Sequence, residues 1–122
     1  MENNIESGST KLHFSITEEK ECYTSIRSQL IKLLYMIESE QESGNDISLW
    51  FYGFMFDLAS ANVLCSNKLT RVVIKIHGLY DNKNYKTMTH AQIKRQIMEA
   101  KGIVDHLIKE LEGGNISDEK SN

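Results

Sequence analysis

A chain of 122 residues that is 40% hydrophobic and 25% charged has the length and composition of one globular domain, large enough to bury a core without a disulfide or metal staple. Its formal net charge of −3 and pI near 5.8 lie below the strongly basic range of a dedicated nucleic-acid binder, and the absence of proline favours long uninterrupted helices. Cys22 and Cys65 sit in apolar runs with no CxxC spacing, so buried reduced thiols are expected rather than a metal or redox centre.

The opening MENNIESGSTKL is polar and acidic, without an apolar stretch. It predicts a disordered tail over 1–15, no secretory signal and a cytoplasmic address, which also removes interest from the sequon Asn115-Ile116-Ser117. A first helix is expected over about 17–42, because Cys22, Tyr23, Ile26, Leu30, Leu33, Leu34 and Ile37 recur at three- and four-residue spacing. Ser15 and Glu18 form a capping box, Glu18, Glu19 and Glu21 suit the positive end of the helix dipole, and Gly44 suits the stop.

The second segment, about 46–65, reads ISLWFYGFMFDLASANVLC after Asp46. It is apolar nearly all round, and Asp57 is its single charge. An aspartate in mid-span costs about 2.5–3.5 kcal/mol on the insertion scale while each Leu, Phe or Ile returns only about 0.3–0.6. With Ser48, Gly53, Ser60 and Asn62 weakening the span further and no basic cluster beside it, no membrane insertion is expected; the segment is read as the central helix of a bundle. Gly53, Asp57, Ser60 and Ala61 would form a small polar stripe turned to water or to a closely packed neighbour. Trp50, Phe51, Tyr52, Phe54 and Phe56 are more large side chains than one side of a small bundle hides, so a partner or dimer surface is expected there.

Residues 69–80, LTRVVIKIHGLY, satisfy two readings. A strand would alternate Val72, Ile74 and Ile76; a helix sets Leu69, Val72, Val73, Ile76, Leu79 and Tyr80 on one face and gathers Lys68, Arg71 and Lys75 into a basic stripe. The helix accounts for more residues and is predicted over 67–80, capped by Ser66 or Asn67 and ended by Gly78 or the DNKN run. The fourth helix, 89–112, opens on the capping box Thr89–Gln92 with Met88 and Ile93 as a hydrophobic staple. Ile93, Ile97, Ala100, Val104, Leu107 and Leu111 continue as a coiled-coil-like seam flanked by Ile103 and Ile108, until Gly113-Gly114. The polar remainder, 114–122, is expected to be a second disordered tail. The expected fold is therefore all-α, a four-helix bundle forming one domain over 16–113.

Charge is polarised along the chain. Residues 1–65 hold 4 basic and 10 acidic groups, 66–101 hold 8 and 2, and 102–122 hold 2 and 5. The basic segment 68–101, with Tyr80 and Tyr85 interleaved, could meet phosphate and stack on bases, or face the acidic first helix. The acidic pI and the lysine-rich composition favour the second.

Arg71-x5-His77 followed by Tyr80 resembles the R-x4-6-H signature of HEPN-domain ribonucleases, small all-helical dimers. The resemblance implies Arg71 and His77 at a dimer cleft, cleaving RNA without a metal. Six residues along an unbroken helix separate two side chains by about 120°, so joint action requires a break near Gly78 or a second copy. The alternative role for His77 is that of a helix-end histidine interacting with the dipole. Elsewhere Glu99, His106 and Glu110 share a helix face, with His106 and Glu110 at the spacing of a surface pair. No HExxH, Walker loop, GxGxxG or GxSxG is present, so no cofactor, no metal and no catalytic residues are expected outside that resemblance. The expectation is a non-enzymatic binding protein of accessory, inhibitor or immunity type. It docks on a larger protein partner or a second copy through Trp50, Phe51, Tyr52 and Phe54, with Lys68, Arg71 and Lys75 steering. The alternative is RNA cleavage or RNA binding.

Overall fold

Ser15 sets the start of the first helix. The structure, a computed structural model, describes the backbone of residues 15–121 and the side chains of residues 15–113; the expected N-terminal tail up to residue 14 lies outside them. Helix α1 (Ile16–Ser43) begins on a reciprocal cap in which the Ser15 hydroxyl accepts the Glu18 amide at 3.2 Å and the Glu18 carboxylate accepts the Ser15 amide at 2.9 Å. It ends at Gly44, whose φ of 78° is the left-handed geometry that glycine adopts without steric cost. Tyr23, Ile26, Leu30, Leu33, Leu34 and Ile37 are its buried face, with Cys22 at the edge. Replacing Ser15 by Ala removes one acceptor from the first turn and is expected to lower stability by about 1 kcal/mol, read as a lower urea midpoint at unchanged slope.

Two carboxylates start α2 (Ser48–Leu64). Asp46 Oδ1 accepts the Ser48 amide at 2.8 Å, and Glu40 Oε1 reaches across the turn to accept the Ile47 amide at 2.8 Å. Phe51, Phe54, Leu58 and Ala61 are buried. The helix packs against α1 and the following helix on one side, and its other side is exposed. The expectation of a central helix is corrected: α2 stands at the edge, while α1 and the fourth helix make the most extensive pairing in the bundle.

The chain then turns through Ser66 and Asn67, with φ of 56° and 64°. Neither holds the N-cap position expected of it, which falls on Leu69. Asn62 substitutes for them: its Oδ1 accepts the Leu69 amide at 2.7 Å and its Nδ2 donates to Thr70 Oγ1 at 3.1 Å. Helix α3 (Thr70–Tyr80) follows, with Leu69 as its N-cap, so the stretch is a helix rather than a strand and starts three residues later than expected. Leu69, Val72, Ile76 and Leu79 are buried and Val73 and Tyr80 half-buried. The helix passes through Gly78 without a break. It ends in the 3-10 turn Asp81–Lys86, where Asn82 and Lys83 are left-handed and Tyr85 is buried against Phe51, ring centroids 5.4 Å apart.

Helix α4 (His90–Ser121) opens on the expected capping box: Gln92 Oε1 accepts the Thr89 amide at 2.9 Å and Thr89 Oγ1 accepts the Gln92 amide at 3.1 Å. Ile93, Ile97, Ala100, Val104 and Ile108 are buried while Leu107 is only half so. The seam therefore moves from Leu107 to Ile108, as the drift of a straight helix against a seven-residue repeat requires. The helix bounds run past Gly113-Gly114, where the sequence predicts a stop; side chains after Gly113 lie outside the described residues. The architecture is an all-α bundle of four helices, with no strand among the described residues. No described helix is long and apolar enough to cross a membrane.

Polar groups close the core at both ends. Tyr23 donates its hydroxyl to Glu19 Oε2 at 2.5 Å, and Lys68 Nζ reaches the same oxygen at 3.1 Å. Burial pushes the Tyr23 hydroxyl up and the Cys65 thiol from 9.0 to about 12. At the other end burial, with Glu40 beside it, takes Tyr85 from 10.0 to about 12. A raised pKa means that the folded state prefers the neutral form. The stability involved is complete below pH about 9 and is lost as pH rises toward about 12. Thermal melting should therefore show a falling midpoint above pH about 9, and Tyr85→Phe should shrink that fall.

Candidate functional site

Each residue turns a helix by about 100°, so five aromatic residues crowded between 50 and 56 cannot share a side. The core face of α2 takes Phe51, 0% exposed, and Phe54, 2% exposed, while Tyr52 and Phe56 on the outer face are 58% and 66% exposed. Phe51 and Phe54, expected at the partner surface, are thus core residues, and Ala61 joins them rather than the small polar stripe. Trp50 is intermediate: it stacks on Phe54 at 5.6 Å, and the Lys32 ammonium lies 5.7 Å from its ring.

The outer face is more extensive than the aromatic run. Leu49, 84% exposed, and Val63, 66% exposed, extend it to both helix ends, and the exposed Ala59 fills the remaining position. Leu49, Tyr52, Phe56, Ala59 and Val63 follow one another at 3-4-3-4 spacing, the a/d pattern of a helix seam. Gly53 and Ser60, both exposed, border it on one side and Met55 and Asn62 on the other. The spacing was readable in the sequence, but a second row on the same helix, Phe51-Phe54-Leu58-Ala61, competes with it. Only the packing of α1 and α3 decides which row faces water.

Half of the eight cations of the basic segment, Lys68, Lys75, Lys86 and Lys101, are engaged in ion pairs within the molecule. Lys68 pairs with Glu19 at 3.1 Å, Lys86 with Glu40 at 3.5 Å and His90 with Glu38, so three links run to the acidic first helix. Lys75 pairs with Glu99 at 2.9 Å, holding that carboxyl below its ordinary range. Asp105 is likewise lowered, first by Lys101 and then by Arg27. Arg71 has no ion pair among the described residues. It borders an open groove of about 610 Å³ between α3 and α4, with Lys68 and Lys75 on its own wall and Glu99, Ile103 and His106 opposite.

His77 does not line that groove. It shares the α2 side of α3 with Thr70, which bonds Asn62, and with Tyr80, whose ring lies 5.0 Å from that of Phe51. Within one chain Arg71 and His77 therefore leave α3 in different directions, as an unbroken helix dictates. His106 and Glu110 form the expected surface pair at 3.2 Å, while Glu99 is engaged with Lys75. Asp57 is exposed and borders a shallow groove shared with Glu18, Glu21 and Gln29 of α1. Among the described residues no three His, Cys, Asp or Glu side chains gather as a metal site would require.

Set against known proteins, the chain matches no family model, no curated protein and no solved structure.

Proposed function

We propose that this protein acts without catalysis, as a small accessory or regulatory protein that binds another protein through the outer face of α2. The observation that carries this reading is the uninterrupted exposed row Leu49, Tyr52, Phe56, Ala59 and Val63 on a helix whose other face is already committed to the core. Scattered exposed apolar residues are ordinary on a protein surface, but a contiguous row in helix-seam register is a contact surface. Tyr52 and Phe56 are suited to the centre of such a contact, since aromatic anchors bury large area at low conformational cost.

The divergence of Arg71 and His77 on α3 weighs against RNA cleavage by that pair in one chain. The ion pairs of Lys68 and Lys75 further reduce the charge that a phosphate backbone would meet, leaving Arg71 as the cation of the groove without an ion pair among the described residues. Arg71→Ala and His77→Ala are expected to leave binding unaltered, and no RNA cleavage is expected from either variant or the parent; cleavage that both substitutions abolish would support a nuclease.

The direct test of the reading is a photoreactive benzoylphenylalanine introduced at position 56 in cells that make the protein. Irradiation should give a covalent protein adduct, and the same probe at Lys94, an exposed position on α4, should not. Absence of any adduct from position 56 contradicts the reading.

A further inference from the structure

The outer row of α2 has an internal symmetry that bears on what covers it. Phe56 is its midpoint: Leu49 and Val63 each lie seven residues away, and Tyr52 is matched on the other side by the small pair Ala59 and Ser60. Charge narrows the choice of occupant further. From Ser48 to Leu64 the only charged residue is Asp57, which is turned to the groove with α1 and away from the row. An amphipathic helix that settles on a lipid surface carries Lys and Arg beside its apolar face, and α2 has neither. A strongly charged partner would find nothing complementary along this face. A copy of the same neutral face requires no complementary charge and meets no repulsion.

Resting on the binding reading above, we propose that the occupant of this face is a second copy of the chain, with the two α2 helices antiparallel about a two-fold axis beside Phe56. In this register Leu49 lies across from Val63 of the partner subunit, and Tyr52 lies over Ala59 and Ser60 of the partner subunit, so Leu49 and Tyr52 each meet a small or branched side chain while the two Phe56 rings meet at the axis. A parallel pair would also stack Tyr52 on its own copy and leave a gap where Ala59 meets Ala59, a poorer fit for a close-packed seam. Such an isologous contact closes on itself and stops at two chains.

The area is of the right order. The row is about 21 Å long at 1.5 Å per residue, and its four large side chains expose on the order of 400 Å² of apolar surface. That is about half of the ~800 Å² per partner of a standard interface, the usual share of an apolar centre whose rim is polar. Ser60 and Asn62 supply the polar side chains of that rim, beside Met55, and Gly53 and Ser60 let the second helix come close.

Sedimentation equilibrium on the full chain tests this. The expected result is twice the 14.0 kDa chain mass at tens of micromolar, with dissociation on dilution. Phe56→Glu should weaken association by at least about 100-fold, with far-UV circular dichroism unchanged. Register is read by cysteine cross-linking with oxidised glutathione in a Cys22→Ala, Cys65→Ala background. Phe56→Cys alone should link two chains, Leu49→Cys alone should not, and Leu49→Cys combined with Val63→Cys should. A monomer at millimolar concentration overturns the proposal, as does cross-linking by Leu49→Cys alone. Where the chain is monomeric yet position 56 photo-cross-links to a protein of different mass, the second copy is refuted and the binding reading stands; a monomer with no adduct refutes both.

Discussion

Phe51→Ala is expected to cost about 3–5 kcal/mol of unfolding free energy, whereas Phe56→Ala, on the same helix and of the same residue type, should stay within about 0.5 kcal/mol in dilute protein. Phe51 is fully buried, its ring 5.0 Å from that of Tyr80 and 5.4 Å from that of Tyr85. Truncation there opens a cavity where α2, α3 and the turn after α3 meet. Phe56 has no such surroundings, so truncating it forfeits little within one chain. Urea unfolding followed by circular dichroism at low protein concentration separates the two. Equal losses for both variants would mean that the two faces of α2 are assigned wrongly, and the proposed contact surface would fall with them.

Glu40→Ala is the second large effect, expected at about 2–3 kcal/mol. One carboxylate serves three partners from two segments: Oε1 accepts the Ile47 amide at 2.8 Å and lies 3.5 Å from the Tyr85 hydroxyl, and Oε2 pairs with Lys86 at 3.5 Å. Its side chain is only 11% exposed, so its loss leaves the half-buried Ile47 amide and the buried Tyr85 hydroxyl without their acceptor. Glu40→Gln keeps an acceptor and should recover about half of the loss. By contrast Glu110→Ala breaks an exposed pair and should change stability by less than about 0.5 kcal/mol. Chemical denaturation of the three variants orders them, and a Glu40→Ala protein as stable as the Glu110→Ala one would contradict the pinning role.

What the sequence disclosed was local. Ser15 with Glu18 and Thr89 with Gln92 are capping boxes separated by three residues, and both form as spaced. Residues 70–80 are helical because the helical period explains Val72, Ile76 and Leu79 together with Leu69 at the cap, whereas a lone strand would have had no partner. What escaped were properties set by distant residues. Asn62 caps the turn before α3 across seven positions, and Glu40 holds the start of α2, contacts that no window of consecutive residues reveals. α2 is apolar on both faces, so its pattern alone could not say which aromatic residues point inward. The exposed apolar row is therefore Leu49, Tyr52, Phe56, Ala59 and Val63, while Phe51 and Phe54, expected at the surface, are buried. The basic segment was legible as charge, but the destinations of Lys68, Lys86 and His90 on α1 depend on how the helices pack.

An amide nuclear magnetic resonance dilution series on the full chain tests most directly whether the outer face of α2 is where this protein makes contact. Concentration-dependent shifts should gather on Leu49, Tyr52, Gly53, Phe56, Ala59, Ser60 and Val63, with α4 silent. Shifts confined instead to the groove of Lys68, Arg71 and Lys75, with α2 unchanged at every concentration, would contradict it.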